Sequence, residues 1–362
     1  MQRQITNLLL TFSLALGITS GVFGQGGTFT AVDYPGASAT IAWSINRSGD
    51  IAGFYTIAGV THGFKLTGGR FTTIDYPGAA YTDGRGINNR GDISGIYRNA
   101  DGVSHGFLLS AVNGGGGQFT AIDFPNASST LGWGVSSSGD VVGNYTAAGV
   151  NHGFKWSGGQ FTTIDFPGPP NTQLTGINPQ GEISGTYVIA GATHAFLLSD
   201  GEFTSLDVPG SDYTNGIGLT ARGDIIGRYT AGAVANGYLL RGGLFSTIAF
   251  PNAAFTGAAA MNERGDIVGR YQNADNVFHG FLLSGFPPGC VASVPRVAMT
   301  SGGAAVTHAS DFTLVTATNP AAPGELLSLF ASGLGPTRPG VDPGKPFPSS
   351  PLAVVTSLVE VR

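Results

Sequence analysis

The chain has 362 residues, of which 41 % are hydrophobic and only 11 % charged, with 59 glycines and a formal net charge of −5. That apolar content excludes a disordered chain, so the glycines read as turn residues of an all-β protein. Lys and Arg total 17 and form no basic run, which argues against a nucleic-acid partner, because phosphate binding needs clustered cations.

Residues 1–24 read as a signal peptide. Arg3 supplies the positive start, residues 8–18 are apolar, and Val22-Phe23-Gly24 places small residues where a signal peptidase inspects the chain. The apolar run is too short to span a bilayer. The protein is therefore expected to be exported, extracellular or at the cell surface, with no transmembrane segment in the mature chain. Cys290 is the only cysteine, so no internal disulfide is expected. A buried thiol and an intermolecular pairing both remain open for it.

From Phe29 onward the chain repeats. The phrase Phe-Thr-x-Ile-Asp-x-Pro recurs at Phe29, Phe71, Phe119, Phe161, Phe203 and, degraded, Phe245, at spacings of 42, 48, 42, 42 and 42. Between these marks run Ile-Asn-x-x-Gly-Asp-Ile-x-Gly-x-Tyr and then His-Gly-Phe-x-Leu. A period of this length made of short strands predicts a β-propeller with one four-stranded blade per repeat. In the first repeat a short strand at Ser44-Ile45-Asn46 leads into a turn closed by Gly49. Strands at 50–55 and 60–66 follow, then a Gly68-Gly69 hairpin and a strand at 71–76.

The hairpin fixes a register in which His62 meets Asp75. The same arithmetic pairs His105 with Asp123, His152 with Asp165, and His194 with Asp207. In the fifth repeat the positions hold Asn236 and Ala249, so both partners vanish together. Because they recur in nearly every repeat, these pairs read as structural, fixing a sheet register rather than performing chemistry. The sixth hairpin has no Phe-Thr-x-Ile-Asp strand after it, and the first is preceded by an unpartnered one at 29–35. The N-terminal strand is therefore expected to complete the last blade and pair His279 with Asp33, closing a six-bladed ring.

The combination of Gly-Ile-Asn-x-x-Gly-Asp-Ile-x-Gly-x-Tyr with His-Gly-Phe or His-Ala-Phe, clearest at 86–97 with 105–107 and at 176–187 with 194–196, resembles the bacterial extracellular HAF repeats. The resemblance covers 29–284 and implies export and a propeller-like fold; it implies no reaction. Departures are Glu182 for Asp, Asn236-Gly237-Tyr238 for His-Gly-Phe, and Ala249 for Asp. A Pro-rich linker is placed at 285–295. Beyond it, Pro323-Gly324-Glu325-Leu326-Leu327 through Gly333-Leu334-Gly335-Pro336 resembles a C-terminal module of secreted acidobacterial proteins. That resemblance implies a small immunoglobulin-like β-sandwich over 296–362, expected to be incomplete because the chain stops in a strand-like segment.

Functional candidates come from positions that break the repeat. A threonine five residues after each proline (Thr40, Thr82, Thr130, Thr172, Thr214, Thr256) is expected to close its own loop. Two residues before Ile45 and its equivalents stand Trp43, Arg85, Trp133, Thr175, Ile217 and Ala259. Two indoles thus flank a guanidinium, with Tyr81 and Asp83 expected in the same loop as Arg85. Such residues suit a glycan or an extracellular protein at the channel mouth. Arg-Gly-Asp tripeptides at Arg90, Arg222 and Arg264 fall at the repeat turn and carry no adhesion reading. No nucleophile elbow, zinc helix or metal-ligand spacing occurs, so no catalytic residue, metal or cofactor is assigned. The expectation is a secreted, monomeric, non-catalytic binding or scaffold propeller. The alternative is a propeller glycoside hydrolase or lyase, which needs paired carboxylates.

Overall fold

The computed structural model describes residues 27–111, 117–168 and 171–286, with short strand pairs between 296 and 355. Each repeat forms a sheet of four antiparallel strands. Blade 1 consists of Ala39–Ile45, Ile51–Ile57, Val60–Thr67 and Arg70–Ile74, counted from the channel outward. Blades 2 to 5 repeat this order along the chain. Two-residue turns join the strands where both φ values are positive, at Ala58-Gly59 (50° and 79°) and Gly68-Gly69 (56° and 81°). That geometry matches the right-handed strand twist.

The sixth blade has three strands of its own, ending in Phe278–Ser284. Its fourth is the N-terminal strand Thr28–Val32, which runs antiparallel to it with Phe29 opposite Leu283 and Val32 opposite Gly280. The ring is thereby sealed, and the protein is a six-bladed β-propeller.

Period-two alternation puts one aromatic from each third strand at the centre of its blade. Phe64, Phe107, Phe154, Phe196, Tyr238 and Phe281 are all fully buried. The space over each ring exists because the facing second-strand residue is glycine. A Cβ on Gly53 would run into the Ile41 carbonyl and come within 2.8 Å of the Phe64 ring, which explains the glycine in every Gly-x-Tyr phrase.

Polar ties recur on this frame. Five histidines hold the aspartate just beyond the end of the adjoining outer strand through Nδ1: His62 to Asp75 at 3.0 Å, His105 to Asp123, His152 to Asp165 and His194 to Asp207 at 2.8 Å, and His279 to Asp33 at 3.1 Å. Each imidazole also stacks on a tyrosine of the second strand, as His62 does on Tyr55. That tyrosine in turn stacks on an aromatic from the preceding outer strand, Tyr34 on Tyr55 at 3.6 Å and Phe250 on Tyr271 at 3.6 Å. At the opposite end of the channel, turn asparagines reach across blade seams. Asn46 Nδ2 donates to the Asn88 carbonyl, Asn88 to that of Ser136, and Asn262 back to that of Asn46.

Two expectations need correction. The inner strand of blade 1 is Ala39–Ile45 rather than a stub at Ser44, so Tyr81, Asp83 and Arg85 lie within the strand Tyr81–Ile87 and not in a loop. The outer strand ends at Ile74, before Pro77. The six threonines sit at the starts of these inner strands, and each accepts a backbone N–H six residues earlier, from Tyr34 N to Thr40 Oγ1 at 3.0 Å through Phe250 N to Thr256 Oγ1 at 2.9 Å.

Residues 289–362 form a separate compact unit. There Arg296–Val297 pairs with Ala331–Ser332, and Val306–His308 with Leu327–Leu329, both antiparallel. The signal segment and Cys290 lie outside the described residues.

Candidate functional site

Every inner strand carries a β-bulge at the same place. The register shifts between Ala42 and Ser44, Gly84 and Gly86, Gly132 and Gly134, Leu174 and Gly176, Gly216 and Gly218, and Ala258 and Ala260. The extra residue in each case is the variable one: Trp43, Arg85, Trp133, Thr175, Ile217 or Ala259. A bulge re-aims its side chain, and here all six line the axial channel. The space they enclose is about 120 Å3, well below the roughly 300 Å3 at which ligand pockets begin. The channel itself therefore leaves little room for a ligand of ordinary size.

The structure brings the five candidate residues together. The Arg85 guanidinium lies 4.4 Å from the Trp43 ring centre and 4.1 Å from that of Trp133, within cation–π range of both. Its Nε donates to Asp83 Oδ2 at 2.5 Å, and the Tyr81 hydroxyl donates to the same oxygen at 3.2 Å. Asp83 is completely buried, and its Oδ1 has no hydrogen-bond partner. Burial pushes its carboxyl above the ordinary value, while the charge and hydrogen bond of Arg85 and the Tyr81 hydroxyl pull it back. Burial, reinforced by Asp83, raises the Tyr81 phenol to about 12. Trp43 is 8 % exposed, and its indole N–H lies close enough to Asp83 to help hold that carboxyl down. These side chains satisfy one another more than they face outward.

The site extends beyond them. The Arg270 guanidinium also lies over Trp43, at 4.5 Å, and near Phe255 at 5.4 Å. Arg228 lies 5.2 Å from Phe255 and 4.4 Å from Tyr213. In ring order the mouth reads Trp133, Arg85, Trp43, Arg270, Phe255, Arg228, Tyr213, aromatic and cation alternating from blade 3 through blades 2, 1 and 6 to blade 5. Burial, with the nearby Arg228 and Arg85 charges, lowers the Arg270 guanidinium to about 9. Arg228, Arg270, Tyr213 and Phe255 were missed in the sequence. The signal was available in a second column of the repeat, the x of Gly-x-Tyr, which reads Phe54, Ile96, Asn144, Thr186, Arg228 and Arg270.

Among the described residues, no group of three or more His, Cys, Asp or Glu is arranged to hold a metal ion, and no helix is long and apolar enough to cross a membrane. No family model matches the chain, and no curated protein matches it. Solved structures similar to it include the virginiamycin B lyase of Staphylococcus aureus, 14 % identical over 73 % of this chain and 93 % of that one, with a TM-score of 0.44. Another is the Aleuria aurantia lectin, a six-bladed propeller that recognises fucose, 14 % identical over 70 % of this chain and 98 % of that one, with a TM-score of 0.44.

Proposed function

We propose that this is an exported, non-catalytic propeller that binds a glycan at the channel mouth, with residues 1–24 as its signal and 296–362 as an immunoglobulin-like appendage. The observation that carries the reading is the asymmetry of the mouth. A scaffold needs only the repeated residues, yet the departures from the repeat gather into one continuous arc of aromatic rings and guanidiniums. Aromatic edges, guanidiniums and amides are the groups that recognise sugar rings and their substituents.

The competing hydrolase reading requires two carboxylates roughly 5–10 Å apart across the scissile bond. Asp83 is the acid in the arc, and it is sealed from solvent with one oxygen committed to Arg85 and Tyr81. It is poorly placed to act as a free acid or base. The test is glycan-array binding of residues 25–362 beside a Trp133→Ala/Arg85→Ala variant. Binding by the parent, reduced at least about tenfold in the variant, is expected. An array silent for the parent, or equal binding by both proteins, would remove the reading.

A further inference from the structure

The arc holds three guanidiniums and one carboxylate. Asp83 is already paired with Arg85, which leaves Arg228 and Arg270 without a hydrogen bond or ion pair among the described residues. Both remain partly exposed, and Arg270 Nη1 is shielded from solvent with no acceptor. Asn215 pairs with Arg228 across the inner two strands of blade 5, and its Oδ1 is likewise buried without a donor. Both guanidiniums lie near the Phe255 ring, 5.2 and 5.4 Å from its centre, so two positive charges without an anionic partner share one seam. Unpaired charge in a half-dry setting costs stability. Its retention in two neighbouring blades, where the other four carry Phe54, Ile96, Asn144 and Thr186, indicates a task performed with a ligand.

Gly257 contributes space. It occupies the inner-strand position that holds Ile41, Asp83, Leu131, Gln173 or Asn215 in other blades. A Cβ there would lie 3.2 Å from the Phe255 ring and 3.7 Å from Arg228 Cδ. A longer side chain there would fill the space between the Phe255 ring and the Arg228 side chain.

We propose that the seam between blades 5 and 6 binds the carboxylate of an acidic saccharide, a uronate, through Arg228 and Arg270, with Asn215 serving a neighbouring sugar hydroxyl. Guanidinium is the group suited to carboxylate, with its planar array of donors. The rings of Tyr213 and Phe255 border the same seam. This identification rests on the glycan-binding reading and names the class of glycan.

The test is calorimetric titration of residues 25–362 with trigalacturonate, with the neutral trimer galactotriose, and with acetate. Trigalacturonate is expected to bind at least about tenfold more tightly than galactotriose, with affinity falling as salt rises. Arg228→Gln and Arg270→Gln are each expected to weaken it by about ten- to a hundredfold. The melting temperature of the free Arg270→Gln protein should not fall, because an unpaired cation has been removed. Parental affinity for trigalacturonate in a folded Arg228→Gln/Arg270→Gln variant would overturn the proposal. So would equally tight binding of galactotriose, although the broader glycan reading would survive. Acetate separates the remaining case. If neither trimer binds but acetate raises the parental melting temperature and not that of the double variant, the carboxylate site stands and the glycan reading fails.

Discussion

Blade 5 shows how much a single side chain can reveal. Where five blades place phenylalanine at their centre, it carries Tyr238, fully buried, with a hydroxyl that has no partner. Burial drives that phenol far above its ordinary range. Leaving a buried hydroxyl unpaired costs about 1–3 kcal/mol, and Phe differs from Tyr by that hydroxyl alone. Tyr238→Phe is therefore expected to raise unfolding stability by about 1–2 kcal/mol, read as a higher urea midpoint at unchanged slope. A lower midpoint would mean the hydroxyl does structural duty. The same blade lacks the histidine and the aspartate, which the sequence shows as Asn236 and Ala249. It also lacks the stacking aromatic, replaced by Val208 against Tyr229. That third loss was illegible because the stack joins the outer strand of one blade to the second strand of the next, and no periodicity within one repeat points to it.

At the scale of the strand and turn, hairpin registers were legible because glycine pairs and period-two alternation determine them. The inner strands were not. Their first residues differ from blade to blade, Ala-Thr-Ile-Ala in one and Tyr-Thr-Asp-Gly in the next, and the bulge interrupts alternation at the position that varies most. The turns that follow carry a pH signature. In Asp50, Asp92 and Asp140 burial pushes each carboxyl up, but hydrogen bonds outweigh it: from Thr67, Asn46 and Lys65; from Asn88, the Ala111 N–H and Arg90; and from Ser157, Lys155 and Ser138. Each ends below 3.8. A carboxyl depressed on folding stabilises above its unfolded value, and that stability is lost as pH falls through its folded value. Urea midpoints should thus be level down to about pH 5 and drop steeply below about pH 4. Asp33 works in the opposite sense, since burial leaves it raised despite His279. An Asp50→Asn/Asp92→Asn/Asp140→Asn variant should show a shallower acid drop than the parent; an identical profile would place the acid sensitivity elsewhere.

The whole molecule depends on one contact distant in sequence. Thr28–Val32 supplies the outer strand of blade 6, packs Phe29 edge-on against Phe250 at 5.0 Å and Phe281 at 5.4 Å, and brings Asp33 to His279 across 246 positions of chain. Non-local closure of this kind forms slowly, but it covers the Phe278–Ser284 strand, whose edge would otherwise be open to fray. It was readable because the repeat phrase is one strand short at its end and one strand over at its start. The mouth was not readable in the same way, since Arg270 and Trp43 become neighbours only once the ring has closed. Removing residues 27–35 should strip the cover from Phe281 and Leu283, open blade 6 and lower the unfolding free energy by about 3–8 kcal/mol of lost apolar burial, of the order of one or two large core truncations, read as a lower urea midpoint. A circular permutant gives the decisive control. It begins at Ser38 and joins Ser284 to Thr28 through Gly-Gly, copying the Gly68-Gly69 hairpin between Thr67 and Arg70. Sealed by an ordinary hairpin, it should unfold in one cooperative step near the parental midpoint, whereas the truncated chain should not. If truncation leaves the midpoint where it was, the N-terminal strand is an ornament and the ring is held shut by the inner asparagines alone.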